Sequence, residues 1–201
     1  MKKTFLLTAS VIFFVLAKSQ TPVPMSSQPG LIYTENFADI TNWTFNGTTG
    51  TFSAGTGSAP WKGNPGAAGS GIPTPNVMTT STLAFTTGST GGVQKGTGVI
   101  QFLTTGTTAN TTSLGFDLFL DFTNVNAGTL SFNAATVFNS TGDRVGTLRV
   151  YASTDGSNWT QLTGTNLPYV ATNNVAGSAA ITSIALPASF NGSATARLRF
   201  Y

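Results

Sequence analysis

Six carboxylates, Glu35, Asp39, Asp117, Asp121, Asp143 and Asp155, are the whole acidic complement of this 201-residue chain, which has neither Cys nor His. Such a composition offers no thiol nucleophile, no imidazole base and no nitrogen or sulfur metal ligand. What remains open is the chemistry of paired carboxylates, in which two carboxyl groups about 5 to 9.5 Å apart cleave a glycosidic bond while an apolar pocket keeps one of them protonated. Asp117 and Asp121 are four residues apart on one predicted strand, which at ~3.3 Å per residue separates their Cα atoms by about 13 Å. Pairs drawn from Glu35, Asp39, Asp143 and Asp155 stay open, although Asp143 and Asp155 lie in turn-like sequence. With Glu35 the only Glu and no motif around any pair, the chain is read as non-catalytic. No cofactor is expected; an oxygen-bound structural calcium ion is the metal the composition admits, without an Asp-rich loop to locate it.

Binding chemistry has better candidates. Alternating stretches place Asp117, Asp121, Asn133, Arg149, Tyr151, Arg197, Arg199 and Tyr201 at positions that would share one polar sheet face if their strands are neighbours. Carboxylates, guanidiniums and phenols on a concave sheet bind sugar hydroxyls by charge-assisted hydrogen bonds and ring stacking. The plainer reading is a set of cross-strand ion pairs on a solvated face, each worth about 0.2 to 1 kcal/mol. Trp43 and Trp61 are the aromatic candidates. Trp61, in Ala59-Pro60-Trp61-Lys62-Gly63, either stacks on a sugar ring or pins its loop to the body of the protein.

Other motifs read as structure. Ser153-Thr154-Asp155-Gly156-Ser157-Asn158-Trp159 is similar to the Asp-box turn of sialidase-like propellers, one residue shorter, and predicts a hairpin with Trp159 packed on the strand. Asn-X-Ser/Thr triplets begin at Asn42, Asn46, Asn110, Asn139, Asn158 and Asn191, and in so Thr- and Asn-rich a chain they are read as turn chemistry. The Gly-rich run at 91–98 lacks the Gly-Lys-Ser/Thr spacing and following helix of a phosphate loop.

The first residues skew the totals. Lys2 and Lys3 precede an apolar run at 5–17, and Ala17 and Ser19 place small residues at a cleavage site, the layout of a secretory signal peptide over 1–19. The run is shorter than the roughly 18 residues that span a bilayer, and no stop-transfer charge follows it. Removing Lys2, Lys3 and Lys18 leaves basic residues equal in number to the 6 acidic ones. No basic stripe is left to neutralise phosphates, so neither nucleic acid nor a membrane is an expected partner. The expected location is outside the cell or on its surface.

The elements that must position these side chains follow period two. Leu114, Phe116, Leu118, Leu120 and Phe122 make every even position apolar and put Asp117 and Asp121 on the opposite face, and weaker alternation runs through Leu130 to Phe138, Leu148 to Ala152 and Ala196 to Phe200. Turn residues at 139–143 and 155–158 predict hairpins. Residues 31–37 are expected to form a first strand, and 98–105 another beside the 114–123 strand. The Gly-, Thr-, Ser- and Pro-rich excursion at about 46–98 reads as loop, with room for a short strand at 81–87. The expected fold is a single all-β domain over 20–201, an antiparallel sandwich.

The segments Gly91-Gly92-Val93-Gln94-Lys95-Gly96, Leu118-Phe119-Leu120-Asp121-Phe122, Ala127 to Phe132, Asn139 to Arg144, Leu148 to Gly156 and Ala194 to Phe200 together resemble a jelly-roll module of secreted bacterial proteins that use type IX secretion. The resemblance covers most of the chain after the signal peptide and implies a concanavalin-like or galactose-binding-like sandwich serving glycan binding or adhesion, or else a spacer that presents another domain. Similar modules continue past the Arg197-Leu198-Arg199-Phe200-Tyr201 segment into a closing strand. The last strand here is therefore expected to leave an exposed sheet edge.

Overall fold

Period-two alternation around residue 118 builds the centre of the molecule. A computed structural model describes residues 20–38, 44–46, 51–53, 60–65, 80–81, 92–95, 98–103, 114–136, 146–172 and 175–201. In chain order the strands are β1 (Val23–Pro24), β2 (Thr44–Asn46), β3 (Thr51–Ser53), β4 (Trp61–Pro65), β5 (Thr80–Ser81), β6 (Gly92–Lys95), β7 (Ile100–Leu103) and β8 (Leu114–Asp121). There follow β9 (Thr129–Thr136), β10 (Thr147–Leu148), β11 (Val150–Ser153), β12 (Thr160–Leu162), β13 (Tyr169–Val170), β14 (Gly177–Ala185) and β15 (Ala196–Phe200). No α-helix occurs among the described residues, only short 3-10 turns. The fold is all-β.

The main sheet runs β12–β11–β15–β8–β4–β3–β2, antiparallel along that path, with β1 parallel to the end of β8. Its register sets apolar side chains opposite one another: Phe116, Leu118 and Leu120 face Phe200, Leu198 and Ala196, and Val150 and Ala152 continue the first two rows. All of these are buried. Each Leu, Val or Phe so enclosed contributes about 1.5 to 3 kcal/mol, which decides which face of the sheet turns inward.

A second sheet, β14 with β9, supplies Ile181, Ile184 and Ala134 to the same core cluster. Phe132 meets Phe200 edge-on at 5.3 Å, so the two sheets share one interior. Ile181 and Ile184 are three residues apart and would point to opposite faces of a regular strand. A bulge between them, with Ser183 at φ 55° and its N–H donated to Ser131 Oγ at 3.0 Å, turns both inward. Ser183→Val, which puts a β-branched residue in the left-handed region, is expected to lower stability by about 1 to 3 kcal/mol in urea unfolding. An unchanged midpoint would mean that the bulge does not constrain this residue.

Several expectations are corrected. Residues 31–37 form no strand, because Leu31 at φ 59° and Phe37 at φ 53° break the extended path. Instead Glu35 accepts bonds from the Phe37 N–H at 2.6 Å and the Tyr33 hydroxyl at 3.1 Å, shaping an irregular strap. The strand near 98–105 exists as β7, but it pairs with β6 in a separate three-stranded sheet and does not flank β8. The place beside β8 goes to β4, from within the presumed loop. The last strand is not at an edge: β15 lies between β11 and β8 and bonds to both. A strand at the end of a sequence pairs with whatever preceded it, and here two earlier strands hold it. The turn at 139–143 and residues 1–19 lie outside the described residues.

Candidate functional site

The outward face of the central strands carries the predicted polar set, and register shows how it assembles. Gln161, Tyr151, Arg199, Asp117 and Lys62 stand in one row across β12, β11, β15, β8 and β4. Arg149 and Tyr201 form the next pair along, exchanging backbone bonds of 2.8 Å in both directions. Arg197, opposite Ser153 and Phe119, lies on the other side of that row. Six predicted residues, Asp117, Arg149, Tyr151, Arg197, Arg199 and Tyr201, are thus brought together. Asn133 is not: it sits on β9 in the second sheet, opposite Ala180. Trp43 lies outside the described residues.

Asp117 and Arg199 make a two-pronged ion pair, Arg199 Nε donating to Oδ1 at 2.6 Å and Nη2 to Oδ2 at 2.8 Å. Their side chains are only 4% and 6% exposed. This corrects the expectation of a solvated pair. Cross-strand neighbours on a sheet face are ordinarily wet, but the Trp159 ring covers the guanidinium at 4.0 Å, and a covered charge requires a close partner. Arg199 and Asp117 are therefore occupied with each other.

The β11–β12 hairpin that delivers Trp159 is set by its own side chains. Asp155 Oδ1 accepts from the Ser157 and Asn158 N–H groups at 2.8 and 2.7 Å, and Oδ2 accepts from Asn158 Nδ2 at 2.7 Å. Ser153 Oγ accepts from the Gly156 N–H at 2.8 Å, and Trp159 Nε1 donates to the Gly156 carbonyl at 3.2 Å. Gly156, at φ +75°, leaves its side-chain place to the Arg197 guanidinium, which a Cβ would strike. The Arg197 guanidinium also lies 5.0 Å from the Phe119 ring, and its buried Nε has no hydrogen-bond partner among the described residues.

The donors around Asp155, first the Asn158 N–H, hold its carboxyl far below the usual carboxylate range. Asp121 is lowered too, by the Thr123 hydroxyl and N–H, and stays at the end of β8 as a turn cap. Groups lowered on folding stabilise the protein fully above their unfolded value, 3.8 here, and lose that contribution as pH falls through the folded one. The denaturation midpoint should accordingly hold steady from neutral pH to about 4 and drop below it. A decline beginning near pH 6 would contradict these assignments.

Trp61 is a core residue, which corrects its reading as a ligand platform. It is 3% exposed, stacks on Phe116 at 4.4 Å with the planes 7° apart, and donates Nε1–H to the Tyr33 hydroxyl at 3.2 Å. Gly63 stands opposite Phe116 in the register and, having no side chain, leaves that ring to the diagonal Trp61. Of the two uses foreseen for this Trp, the structure shows packing against the core.

What remains accessible is a smaller group. Tyr151 and Tyr201 are half-buried, with rings edge to face at 5.9 Å, and Arg149 is half-buried beside them. Burial raises the Tyr151 phenol's pKa, Arg149 opposing and Tyr201 adding, so the hydroxyl keeps its proton and can donate. Among the described residues no three acidic, His or Cys side chains gather to hold a metal ion. Sequence reasoning placed Trp159 on a strand but missed that it roofs Arg199; that contact depends on β15 lying beside β11, which no local pattern signals. In comparisons with protein-family models, curated proteins and solved structures, nothing matches this chain.

Proposed function

We propose that the chain is an exported, non-catalytic β-sandwich of jelly-roll type, akin to modules of type IX-secreted proteins, which binds glycan or cell-surface polysaccharide outside the cell. The observation that carries this reading is the Arg149–Tyr151–Tyr201 cluster: two half-buried phenols edge to face beside a guanidinium, on a sheet face held rigid by the buried Asp117–Arg199 pair. Rings of this kind cover the apolar face of a sugar while hydroxyl and guanidinium groups bond to its rim. The signal-peptide layout of the first residues supports export and cleavage rather than a membrane anchor.

Catalysis finds little support. Glu35, Asp117, Asp121 and Asp155, the described carboxylates, each accept structural hydrogen bonds. A glycosidase needs two carboxyl groups committed to substrate and water.

A second reading, a spacer that presents another domain, is favoured by the Ser153–Asp155–Asn158 and Asp117–Arg199–Trp159 networks, which spend polar groups on structure alone. Polysaccharide pull-down separates the two. The binding reading expects retention on at least one insoluble glycan and about tenfold weaker binding in Tyr151→Ala, whose circular dichroism is unchanged. A folded protein retained by no glycan would establish the spacer reading instead.

A further inference from the structure

We propose that the glycan taken at the Arg149–Tyr151–Tyr201 cluster is an acidic polysaccharide, its uronate carboxylate meeting the Arg149 guanidinium while the sugar ring lies against the phenols. This inference rests on the binding reading above and specifies its ligand class.

Charge on this face is unevenly engaged. Three arginines stand there, and their guanidiniums have different surroundings. Arg199 is bonded to Asp117 at 2.6 and 2.8 Å and roofed by Trp159. Arg197 is packed against the Gly156 turn and the Phe119 ring. Arg149 is half-buried and makes no ion pair with any described carboxylate. The described acidic side chains nearest this face are committed elsewhere: Asp155 bonds within its own hairpin, and Asp121 caps the far end of β8.

Among the described residues the cluster therefore offers a cation and two phenols and no anionic acceptor. The phenol oxygens accept as well as donate and can meet any sugar hydroxyl, whereas the Arg149 guanidinium only donates and is answered by no described carboxylate. A guanidinium fork beside two phenol hydroxyls fits a planar carboxylate, and charge-assisted bonds to it are about twice as strong as neutral ones. Nucleic acid would also bring anions and rings to stack. It is disfavoured because backbone binding draws on many cations along a groove, and among the described side chains a single guanidinium without a carboxylate partner adjoins the tyrosines.

The test titrates the purified protein with three probes, sodium alginate, carboxyl-reduced alginate and an oligo-dT strand, using calorimetry at about 0.05 and 0.5 M salt. The expected result is alginate binding that weakens with salt and is about tenfold tighter than binding of the reduced polymer. Arg149→Gln should remove that difference, and Arg149→Lys should restore part of it. Arg149 has no ion pair with a described carboxylate to lose, so both variants are expected to fold. Equal binding of the two alginates, indifferent to Arg149→Gln, would overturn the acidic ligand and leave glycan binding standing. If neither alginate binds, the acidic-ligand proposal is overturned, and the pull-down with Tyr151→Ala decides whether glycan binding goes with it. Tighter binding of oligo-dT than of alginate would overturn the proposal in favour of nucleic acid.

Discussion

Asp117→Ala should cost about 3 to 5 kcal/mol of unfolding free energy, a large share of the about 5 to 15 kcal/mol that a domain commands. The variant leaves the Arg199 guanidinium buried under Trp159 without its carboxylate, and a buried charge has no water to fall back on. Removing both charges, as in Asp117→Leu with Arg199→Met, should cost much less, because nothing unpaired stays behind. Urea unfolding of Asp117→Leu, Arg199→Met and the double variant forms a cycle in which the double should cost far less than the sum of the singles. A loss below about 1 kcal/mol for Asp117→Ala would mean that the pair behaves as an exposed one. Arg199→Lys should fail to rescue, since a lysine has neither the two-pronged fork nor the flat face that Trp159 covers.

Trp61→Ala is expected to be comparably severe, about 3 to 5 kcal/mol, for a different reason: it empties the core where the indole stacks on Phe116 and approaches Phe37 and Phe200. Its effect on any ligand would follow from unfolding and not from a lost contact. Trp61→Phe keeps a ring against Phe116 and gives up the bond to the Tyr33 hydroxyl, a loss of about 1 kcal/mol. Thermal unfolding of the two variants measures both. Full stability in Trp61→Ala would place the indole outside the core and reopen its reading as a ligand platform.

These two residues show where local sequence stops informing. The alternation at 114–122 and 196–200 predicted strands that the structure contains as β8 and β15, because burial of one face stabilises each strand wherever its partners lie. The Asp155 hairpin was legible as well, since its bonds close within six residues. By contrast, β4 was not legible. Its five residues include two glycine or proline positions and one buried aromatic, with no alternation to read, and it becomes a strand because β8 offers it an edge.

The candidate site divides along the same line. That Arg149 shares a face with Tyr151, and Arg199 with Tyr201, follows from period two, but that the two pairs meet and which of these residues remain accessible does not. Only the adjacency of β11, β15 and β8 decides that Arg199 meets Asp117 and Trp159 while the tyrosines meet each other. Taken alone, the sequence determined the all-β class, the inward faces of the central strands, the self-contained turn and the narrow choice of chemistry, since each depends on residue type and short spacing. The tertiary structure decided strand order, the Ile181–Ile184 bulge, the burial of Trp61 and the closing of the ion pair. Those depend on segments far apart in the chain, whose pairing is selected by the packing of the whole and not by the residues on either side.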